Sequence, residues 1–328
     1  MKGLVLAGGS GKRLRPLSYS GAKQLIPIAN RPVLFHAFEQ LAGAGIHDVT
    51  VVVAPETQAG VRAAAGTGEA FGVRLSYVVQ DRPRGLAHAV AAARESLGES
   101  PFCMFLGDNV IGASLRPYAE RFAADTGAAA LLLLKEMDDP SAFGVAELGA
   151  DGRLVRLVEK PACPPSRLAL TGVTFFRAEI HAAIARIQPS ERGELEITDA
   201  IGELLGRGLD VRFERLSVFW FDTGNKADLL AANQAVLDAW GAREVRGAVD
   251  AASVIEGRVS IAEGARVVRS RVTGPVAVGA GVVIEDAEIG PFSSLGAGVT
   301  VMRSRVERSV LLPGSGVEGV ARLWDSVL

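Results

Sequence analysis

The sequence has few of the features that mark secreted or membrane-spanning proteins. Only two cysteines, Cys103 and Cys163, occur in 328 residues, and their different contexts favour free thiols in a reducing cytosol over a disulfide. The longest purely apolar run, Ala128–Leu134, is far too short to cross a bilayer. A glycine-rich loop follows the N-terminus almost at once, so no signal peptide is expected. We therefore predict a cytoplasmic protein that does not associate with membranes.

An excess of one charge sign is also lacking. The 35 basic and 37 acidic residues give a net charge of −2, and no block of lysines and arginines interrupts the chain. A nucleic-acid partner is therefore not expected. The four histidines, the last of which is His181, lie on predicted helices or near their ends, which favours structural or surface roles. A Ser/His/Asp or Cys/His group for nucleophilic catalysis is not indicated.

The first three quarters of the chain alternates short β-rich runs with helical ones. Four of these runs predict strands: Lys2–Leu6, Val49–Val53, Leu75–Gln80 and Phe102–Leu106. Helical connections between apolar strands imply right-handed βαβ units and a mostly parallel sheet. Two later runs joined by Asp151 and Gly152 predict an antiparallel hairpin. The expected fold class over residues 1–240 is therefore α/β, with a Rossmann-like, mixed and mostly parallel sheet.

Beyond residue 250 the hydrophobic period changes to six, six and five residues. Apolar residues keep this spacing from Ile255 to Leu312. A glycine recurs in phase at Gly264, Gly281 and Gly298. This periodicity is typical of a parallel β-helix, in which each short strand buries one apolar residue, whereas a β-sandwich alternates over longer strands. We predict a short β-helix of about three to four coils over residues 251–328, after a linker at residues 241–250.

The loop GGSGK, at residues 8–12, resembles several kinds of phosphate-binding loop. A Walker A loop needs a serine or threonine where Arg13 stands, so its magnesium-binding hydroxyl is absent. A dinucleotide fingerprint needs a third glycine that is also absent. The remaining interpretation is a loop at the end of a strand whose glycines let backbone N–H groups approach phosphate oxygens. Arg13 adds a fork of donors and Lys23 a point charge, which suits a bound triphosphate.

Nine motifs, taken in order, resemble those of the sugar-1-phosphate nucleotidyltransferases. They are LAGGSGKRLRPL, AKQLIPIANRPV, QDRPRGLAHA, LGDN, FGVAEL, VEKP, TGVTFF, RGELEITDA and WFDTG. The resemblance covers the whole chain and is strongest to the thymidylyl-transferring branch in its long form, whose C-terminal domain is a left-handed β-helix. One departure is Lys12, where the family commonly has threonine. An extra cation beside the phosphates is compatible with the family's chemistry.

The resemblance implies a reaction in which a sugar 1-phosphate oxygen attacks the α-phosphorus of a nucleoside triphosphate. Pyrophosphate leaves, and a nucleotide sugar forms. For the thymidylyl branch the substrates are dTTP and glucose 1-phosphate, the cofactor is Mg²⁺, and the protein is a homo-oligomer. Because a sugar phosphate is already anionic near neutral pH, positioning and charge neutralisation should provide most of the rate.

The resemblance also implies roles for individual residues. The expected catalytic residues are Arg13, Lys23, Asp108 and Lys160. The expected nucleotide-binding residues are Leu6, Gly8, Gly9, Gly11, Arg13, Gln80, Gly85 and Asp108. The expected sugar-phosphate-binding residues are Asn109, Gly144, Glu159, Lys160, Val173 and Glu194. The expected magnesium ligands are Asp108 and Asp222, each of which follows an apolar strand.

Some of these residues have simpler interpretations. Asp108 and Asp222 could each simply start a turn or cap a helix, and Asp222 precedes a predicted helix, where aspartate is a favoured cap. Glu159 and Lys160 could form a solvated charge pair at a strand end. For Glu196, which lies just before a helix predicted to begin near Thr198, a capping role is favoured.

Three other functions stay open at this point. Hexapeptide β-helices often have acetyltransferase activity, but such enzymes usually use a histidine, and the sequence after Gly241 has none. A non-catalytic regulatory or assembly protein of this fold tends to lose the loop arginine, the lysine and the metal carboxylates, all of which are present here. Uridylyl transfer from UTP is the third, because a glutamine amide pairs equally well with thymine and uracil.

Overall fold

The structure is a computed structural model that describes residues 1–9, 11, 14–15, 17 and 21–328, with only the backbone described for Trp240. The chain divides into two compact units. The first unit comprises Met1–Lys12, Tyr19–Gln24 and Leu34–Trp220. The second unit comprises Arg13–Ser18, Leu25–Val33 and Phe221–Leu328. Within the described ranges, no helix is long and apolar enough to cross a membrane.

Strands and helices alternate along the chain up to residue 240. The strands are β1 (Lys2–Ala7), β2 (Pro27–Ile28), β3 (Arg31–Pro32), β4 (Asp48–Val53), β5 (Arg74–Val79), β6 (Phe102–Leu106), β7 (Asn109–Ile111), β8 (Ala128–Glu136), β9 (Gly144–Leu148), β10 (Leu154–Glu159), β11 (Leu168–Phe176), β12 (Asp210–Arg215) and β13 (Trp220–Asp222). The helices are α1 (Val33–Gly43), α2 (Gln58–Ala65), α3 (Leu86–Ala92), α4 (Arg94–Leu97), α5 (Arg116–Ala124), α6 (Glu179–Ile184), α7 (Ile197–Gly206) and α8 (Lys226–Trp240), with short 3₁₀ turns at Lys23–Leu25 and Glu69–Phe71.

A mixed sheet of nine described strands forms the centre of the first unit. Its order is β10-β9-β11-β6-β1-β4-β5, and β8 pairs with both β11 and β12. The strands β6, β1, β4 and β5 are parallel, whereas β11 runs antiparallel to β6. This confirms the predicted α/β class, and the β9–β10 pair confirms the predicted hairpin. Strand order changes direction at β1, which is where open α/β sheets bind ligands.

Helices α3, α6 and α7 cover one face of this sheet and share its hydrophobic core. Along α7, Ile197, Ile201 and Leu204 recur at the spacing of one helix face, and all three are buried. They pack in the same cluster as Leu4 of β1 and Phe102 of β6. The core therefore fixes β1 and β6 side by side, and with them the loops that follow these two strands.

The second unit contains a parallel β-helix of three five-stranded sheets. Its strands are β14 (Glu244–Val245), β15 (Ala248–Val249), β16 (Val254–Glu256), β17 (Val259–Ile261), β18 (Arg266–Val268), β19 (Arg271–Thr273), β20 (Val276–Val278), β21 (Val283–Glu285), β22 (Glu288–Ile289), β23 (Ser293–Leu295), β24 (Thr300–Met302), β25 (Arg305–Glu307), β26 (Val310–Leu311), β27 (Gly316–Glu318) and β28 (Leu323–Trp324). Each strand pairs with the strand three places further along the chain, as in left-handed β-helices, so Val259 pairs with Val276 and Val276 with Ser293. The predicted period of six, six and five residues is confirmed from Ile255 to Val306, but the last predicted position is wrong, because Leu311 and not Leu312 pairs with Leu295 and is buried.

The β-helix is longer than the sequence predicted. The prediction of three to four coils is wrong, because each sheet has five described strands. The additional coil begins with β14 and β15, which lie in residues 241–250, the segment expected to be a linker. Val245 in β14 is 44% exposed. Because β14 has only two residues and no buried apolar side chain, the hydrophobic period gives no signal for that strand.

The repeated tetrad RSRV forms the same turn in two coils. Arg269 and Arg303 both adopt a left-handed backbone conformation, with φ of 46° and 47°. The serine that follows closes the turn: Ser270 Oγ donates to Val268 O at 2.7 Å and accepts from the backbone N–H of Ala287, in the next coil, at 3.0 Å. Ser304 makes the equivalent pair of bonds. These serines therefore satisfy backbone groups that the turn would otherwise leave unpaired.

Within the second unit, the hairpin β2–β3 is bonded to α8 and to the β-helix. Its two turn residues, Ala29 and Asn30, have φ of 47° and 62°, as a two-residue hairpin requires. The backbone N–H of Ala29 donates to Asn233 Oδ1 at 2.8 Å. Asn30 Nδ2 donates to the carbonyls of Ala277, at 3.1 Å, and Leu295, at 2.8 Å. The β-helix therefore holds a strained turn just downstream of Lys23 in the chain.

Replacing Asn233 by alanine should loosen this connection. Asn233 is fully buried, and its amide also donates to Phe292 O at 3.0 Å and accepts from Ser294 Oγ at 2.6 Å. Leaving these buried groups unpaired should cost about 3 kcal/mol. Thermal unfolding should show a clear drop in midpoint for Asn233→Ala and almost none for the neighbouring control Gln234→Ala. Equal midpoints for the two variants would contradict this role.

Candidate active site

The loop after β1 is shaped by two side chains that lie close to its glycines. A Cβ atom on Gly9 would lie 2.9 Å from Lys23 Cε, and one on Gly8 would lie 3.2 Å from Gln80 Oε1. Gly11 is buried and has a φ of 61°. These glycines therefore allow a close approach that larger residues would prevent. Ser10, Lys12 and Arg13 lie outside the described residues, so the expected triphosphate contact of Arg13 stays a prediction.

Lys23 and Asp108 form a buried ion pair beside this loop. Asp108 follows β6 and is 7% exposed, and its Oδ2 atom pairs with Lys23 Nζ. Its other oxygen, Oδ1, accepts from Asn109 Nδ2 at 3.1 Å. Because a buried charge is tolerated only when it is paired and hydrogen-bonded, each of these partners holds the carboxylate in place. The structure thus brings together two of the predicted catalytic residues, which are far apart in sequence.

Asn109 is itself fixed by residues that the sequence did not single out. Its side chain is fully buried, and its Oδ1 accepts from Trp220 Nε1 at 2.7 Å. A Cβ atom on Gly172 would lie 2.3 Å from the same oxygen, so only glycine fits there. These contacts show Asn109 orienting Asp108. A contact between Asn109 and the sugar phosphate stays a prediction.

Gln80, Gly85 and Leu6 are the residues expected to bind the base. Gln80 is 7% exposed, and its Nε2 atom lies 3.3 Å from Gly85 O and 2.9 Å from His88 Nδ1. Gly85 has a φ of 99°, and a Cβ atom there would lie 2.4 Å from Leu195 O. Leu6 is buried near the end of β1. The predicted base-reading residues therefore lie at the ends of β1 and β5, the two strands on either side of β4, and at the start of α3.

The predicted sugar side is a charged cluster around Glu159. Glu159 Oε2 accepts from Thr198 Oγ1 at 3.1 Å, and its Oε1 lies 3.2 Å from Lys160 Nζ. Arg192 adds a third contact, with NH1 3.4 Å from Glu159 Oε1. Gly144 is paired with Glu159 in the β9–β10 hairpin, and a Cβ atom there would lie 2.6 Å from Thr198 Cγ2. Three side chains therefore hold Glu159 in position. The alternative of a solvated pair with Lys160 describes only one of these contacts.

Arg192 also bridges two further glutamates. It lies 3.5 Å from Glu194 Oε2 and 3.1 Å from Glu196 Oε1. Burial, together with the negative charge of Glu159, raises the pKa of Glu196. The expected capping role of Glu196 is wrong: it precedes α7, but its side chain makes no capping bond and instead accepts from Ser190 Oγ at 3.0 Å. The Ser190 hydroxyl and the Arg192 guanidinium bind this carboxylate in place of the backbone N–H groups at the start of α7.

Val173 and Asp222 complete the predicted set. Val173 is fully buried in β11 opposite Phe105 of β6. Asp222 belongs to the second unit, where its Oδ1 accepts from the backbone N–H of Gly224 at 3.0 Å. This bond confirms the alternative in which Asp222 starts a turn, whereas the capping alternative is wrong, because Asn225 caps α8 through a 3.0 Å bond from the backbone N–H of Asp228. Among the described residues, no cluster of three or more His, Cys, Asp or Glu side chains is preformed to hold a metal.

A glycine loop at the switch point of an α/β sheet, with a buried Lys–Asp pair beside it, defines a nucleotide-handling enzyme. Residues 2–239 match the model of the nucleotidyl transferase family, and the chain belongs to that family.

Similar proteins agree with this assignment. A Streptomyces antibioticus protein named glucose-1-phosphate thymidylyltransferase is 48% identical over 100% of this chain and 92% of its own. A Streptomyces griseus protein of the same name is 46% identical over the same shares. Among solved structures, a candidate glucose-1-phosphate thymidylyltransferase from Bacillus anthracis in complex with sucrose matches with a TM-score of 0.67. It is 36% identical, covering 71% of this chain and 94% of its own.

Proposed function

We propose that this enzyme transfers the thymidylyl group of dTTP to glucose 1-phosphate, releasing pyrophosphate and forming dTDP-glucose. The observation that carries the proposal is the buried Lys23–Asp108 pair beside the glycine loop, in a chain similar over its full length to thymidylyltransferases. An enzyme that binds a triphosphate needs positive charge at this point of the sheet, and Lys23 is held there. The catalytic domain is proposed to span residues 1–240, and the β-helix domain is proposed to begin at β14 and not at residue 251.

In the proposed reaction an oxygen of the sugar phosphate forms a bond to the α-phosphorus of dTTP. The bond between that phosphorus and the oxygen bridging to the β-phosphate breaks, and pyrophosphate leaves with the electron pair. The attacking oxygen is already anionic, so no general base is needed. Lys23 and Arg13 are proposed to offset the charge of the triphosphate, which is the main contribution a protein makes to phosphoryl chemistry.

The two substrates are proposed to bind on opposite sides of the Lys23–Asp108 pair. Gln80 and Gly85 would bind the base, beside Leu6 and Gly8. The sugar side would use the cluster around Glu159. There Glu159 and Glu194 would accept hydrogen bonds from sugar hydroxyls, and Lys160 would meet the sugar phosphate. Asn109, Gly144 and Val173 complete the proposed sugar site.

We also propose that Asp108 and Asp222 bind Mg²⁺ during turnover. Carboxylate oxygens are the ligands that Mg²⁺ prefers, and a carboxylate has acceptor capacity beyond the bonds that Asp108 makes to Lys23 and Asn109. When bound, the ion supplies positive charge to the phosphates. The pairing of these two carboxylates, like a homo-oligomeric state, stays a prediction.

A matrix of nucleoside triphosphates against sugar 1-phosphates, assayed for pyrophosphate, tests the proposal. We expect Mg²⁺-dependent turnover that is highest with dTTP and glucose 1-phosphate. Turnover with no pair at all would overturn the proposal. Higher turnover with UTP would overturn only the thymidylyl assignment and favour a uridylyltransferase.

Replacing Glu159 by glutamine should weaken binding of the sugar phosphate selectively. Losing one charged hydrogen-bond acceptor should raise the KM for glucose 1-phosphate about 10- to 100-fold and leave the KM for dTTP within about twofold. The matched control is Glu147→Gln, on the same hairpin, where the glutamate forms an exposed pair with Arg156. Equal changes in both KM values, or an effect of the control as large as that of Glu159→Gln, would contradict the assigned role.

A further inference from the structure

The side-chain amide of Gln80 is held in one orientation by two neighbours. Its Nε2 atom lies 3.3 Å from the carbonyl oxygen of Gly85 and 2.9 Å from Nδ1 of His88. A carbonyl oxygen only accepts hydrogen bonds, so the amide atom facing Gly85 must be the nitrogen. Both protons of the amide are therefore directed toward α3 and the residue that precedes it.

This orientation fixes the role of His88. Because the Gln80 nitrogen donates, His88 Nδ1 must accept, and the proton of the neutral ring then lies on Nε2. His88 is half-buried, in the first turns of α3, while Gln80 is 7% exposed. A buried amide without hydrogen-bond partners costs free energy. An acceptor at His88 Nδ1 therefore strongly favours the orientation in which the Gln80 nitrogen faces it.

The remaining Gln80 atom, Oε1, is directed toward the glycine loop. A Cβ atom on Gly8 would lie 3.2 Å from it, which places this oxygen at the end of β1. Toward the proposed base, Gln80 thus presents an acceptor. Thymine and uracil offer an N–H donor at N3, whereas cytosine offers a lone pair at N3. An acceptor at this position therefore favours the first two bases and repels the third.

We propose that His88 is a positioning residue for base selection: by accepting from Gln80 Nε2, it holds Gln80 Oε1 toward the base and excludes cytosine nucleotides. The inference rests on the proposed function for the location of the base. It adds a residue, His88, that would not touch substrate and would act only through Gln80.

The test compares the affinities of dTTP and dCTP, by calorimetric titration, for wild-type protein and three variants. His88→Leu removes the acceptor, His88→Lys replaces it with a donor, and His88→Gln supplies another acceptor. We expect the dTTP preference to fall about tenfold for His88→Leu and further for His88→Lys, and to be retained by His88→Gln. His47→Leu is the control, since His47 is exposed and bonds only Gly72 O among the contacts described for its ring.

The outcomes separate this proposal from a structural role and from the proposed function. A structural role would weaken both nucleotides equally and leave their ratio unchanged in all variants, which would overturn the proposal. A wild-type protein that binds dTTP and dCTP equally well would also overturn it. The titration measures binding, so it tests the role of His88 even if the enzyme shows no turnover. An absence of turnover in the pyrophosphate assay would overturn the proposed function and not the role of His88.

Discussion

Replacing Asp108 by asparagine should lower kcat by about 10³-fold or more at saturating substrates and Mg²⁺. The substitution keeps the size of the side chain and removes its charge. It would take away a carboxylate proposed to bind the metal and would remove the ion pair that Asp108 makes with Lys23, whose side chain is only 15% exposed. Removing one electrostatic group at a reacting centre typically costs about 10²- to 10³-fold, and loss of the metal adds to that.

Two further variants distinguish catalysis from stability. Breaking a buried pair from one side costs about 3–5 kcal/mol, whereas replacing both members costs much less. We therefore expect Asp108→Asn to lower the thermal midpoint, and the double variant Lys23→Met, Asp108→Asn to recover much of it while staying inactive. Asp138→Asn, on a fully exposed carboxylate, is the control. Activity of Asp108→Asn within a few-fold of wild type would show that the role assigned to Asp108 is wrong.

Replacing Gly85 by alanine should damage both stability and nucleotide binding. A positive φ alone costs a non-glycine residue about 1–2 kcal/mol. At Gly85, where φ is 99°, the new Cβ would in addition lie 2.4 Å from Leu195 O and 2.8 Å from Leu195 N. These are backbone atoms bonded to Arg84 and Ala87, so neither can move away without breaking a hydrogen bond. In the Gly85→Ala variant the end of β5 and the start of α3 must therefore shift, and Gln80 must move with them.

Gly193 provides the matched comparison. Its φ is 74°, and a Cβ atom there would meet no atom of the described residues within 4 Å. We expect Gly193→Ala to lower the free energy of unfolding by about 1 kcal/mol, with an unchanged KM for dTTP. Gly85→Ala should cost about 3 kcal/mol or more and raise the KM for dTTP at least tenfold. If the two variants had the same free energy of unfolding and the same KM for dTTP, the contact with Leu195 would not explain why glycine is needed at residue 85.

The fold was largely predictable because its strands are strongly patterned. The strands β1, β4 and β6 are parallel and buried, so they read as continuous apolar runs. The inward residues of the β-helix keep a strict period. The coil that was missed begins with β14, whose one apolar residue, Val245, is exposed, so the same rule has no buried residue to act on there. The local hydrophobic pattern therefore predicted the strands whose side chains are buried and failed for those whose side chains are exposed.

The site was predictable only in part, for a different reason. Lys23 and Asp108 were chosen by resemblance to a family, and their mutual contact depends on topology that spans 85 residues of chain. Thr198 and His88 were missed because each acts through another side chain. A residue in that role belongs to no recognisable sequence motif. Glu196 was assigned to a cap because local rules did not include its contacts to Ser190 and Arg192.

The central claim is that this enzyme transfers a nucleotidyl group and not a phosphoryl group. The most direct measurement uses dTTP carrying radioactive phosphorus in the α-phosphate, incubated with glucose 1-phosphate and Mg²⁺, with the products separated by chromatography. We expect the label in a nucleotide sugar and none in pyrophosphate, whereas label in the β- or γ-phosphate should appear only in pyrophosphate. An α-label that stays in dTTP or dTDP, or a γ-label that reaches the sugar, would contradict the claim.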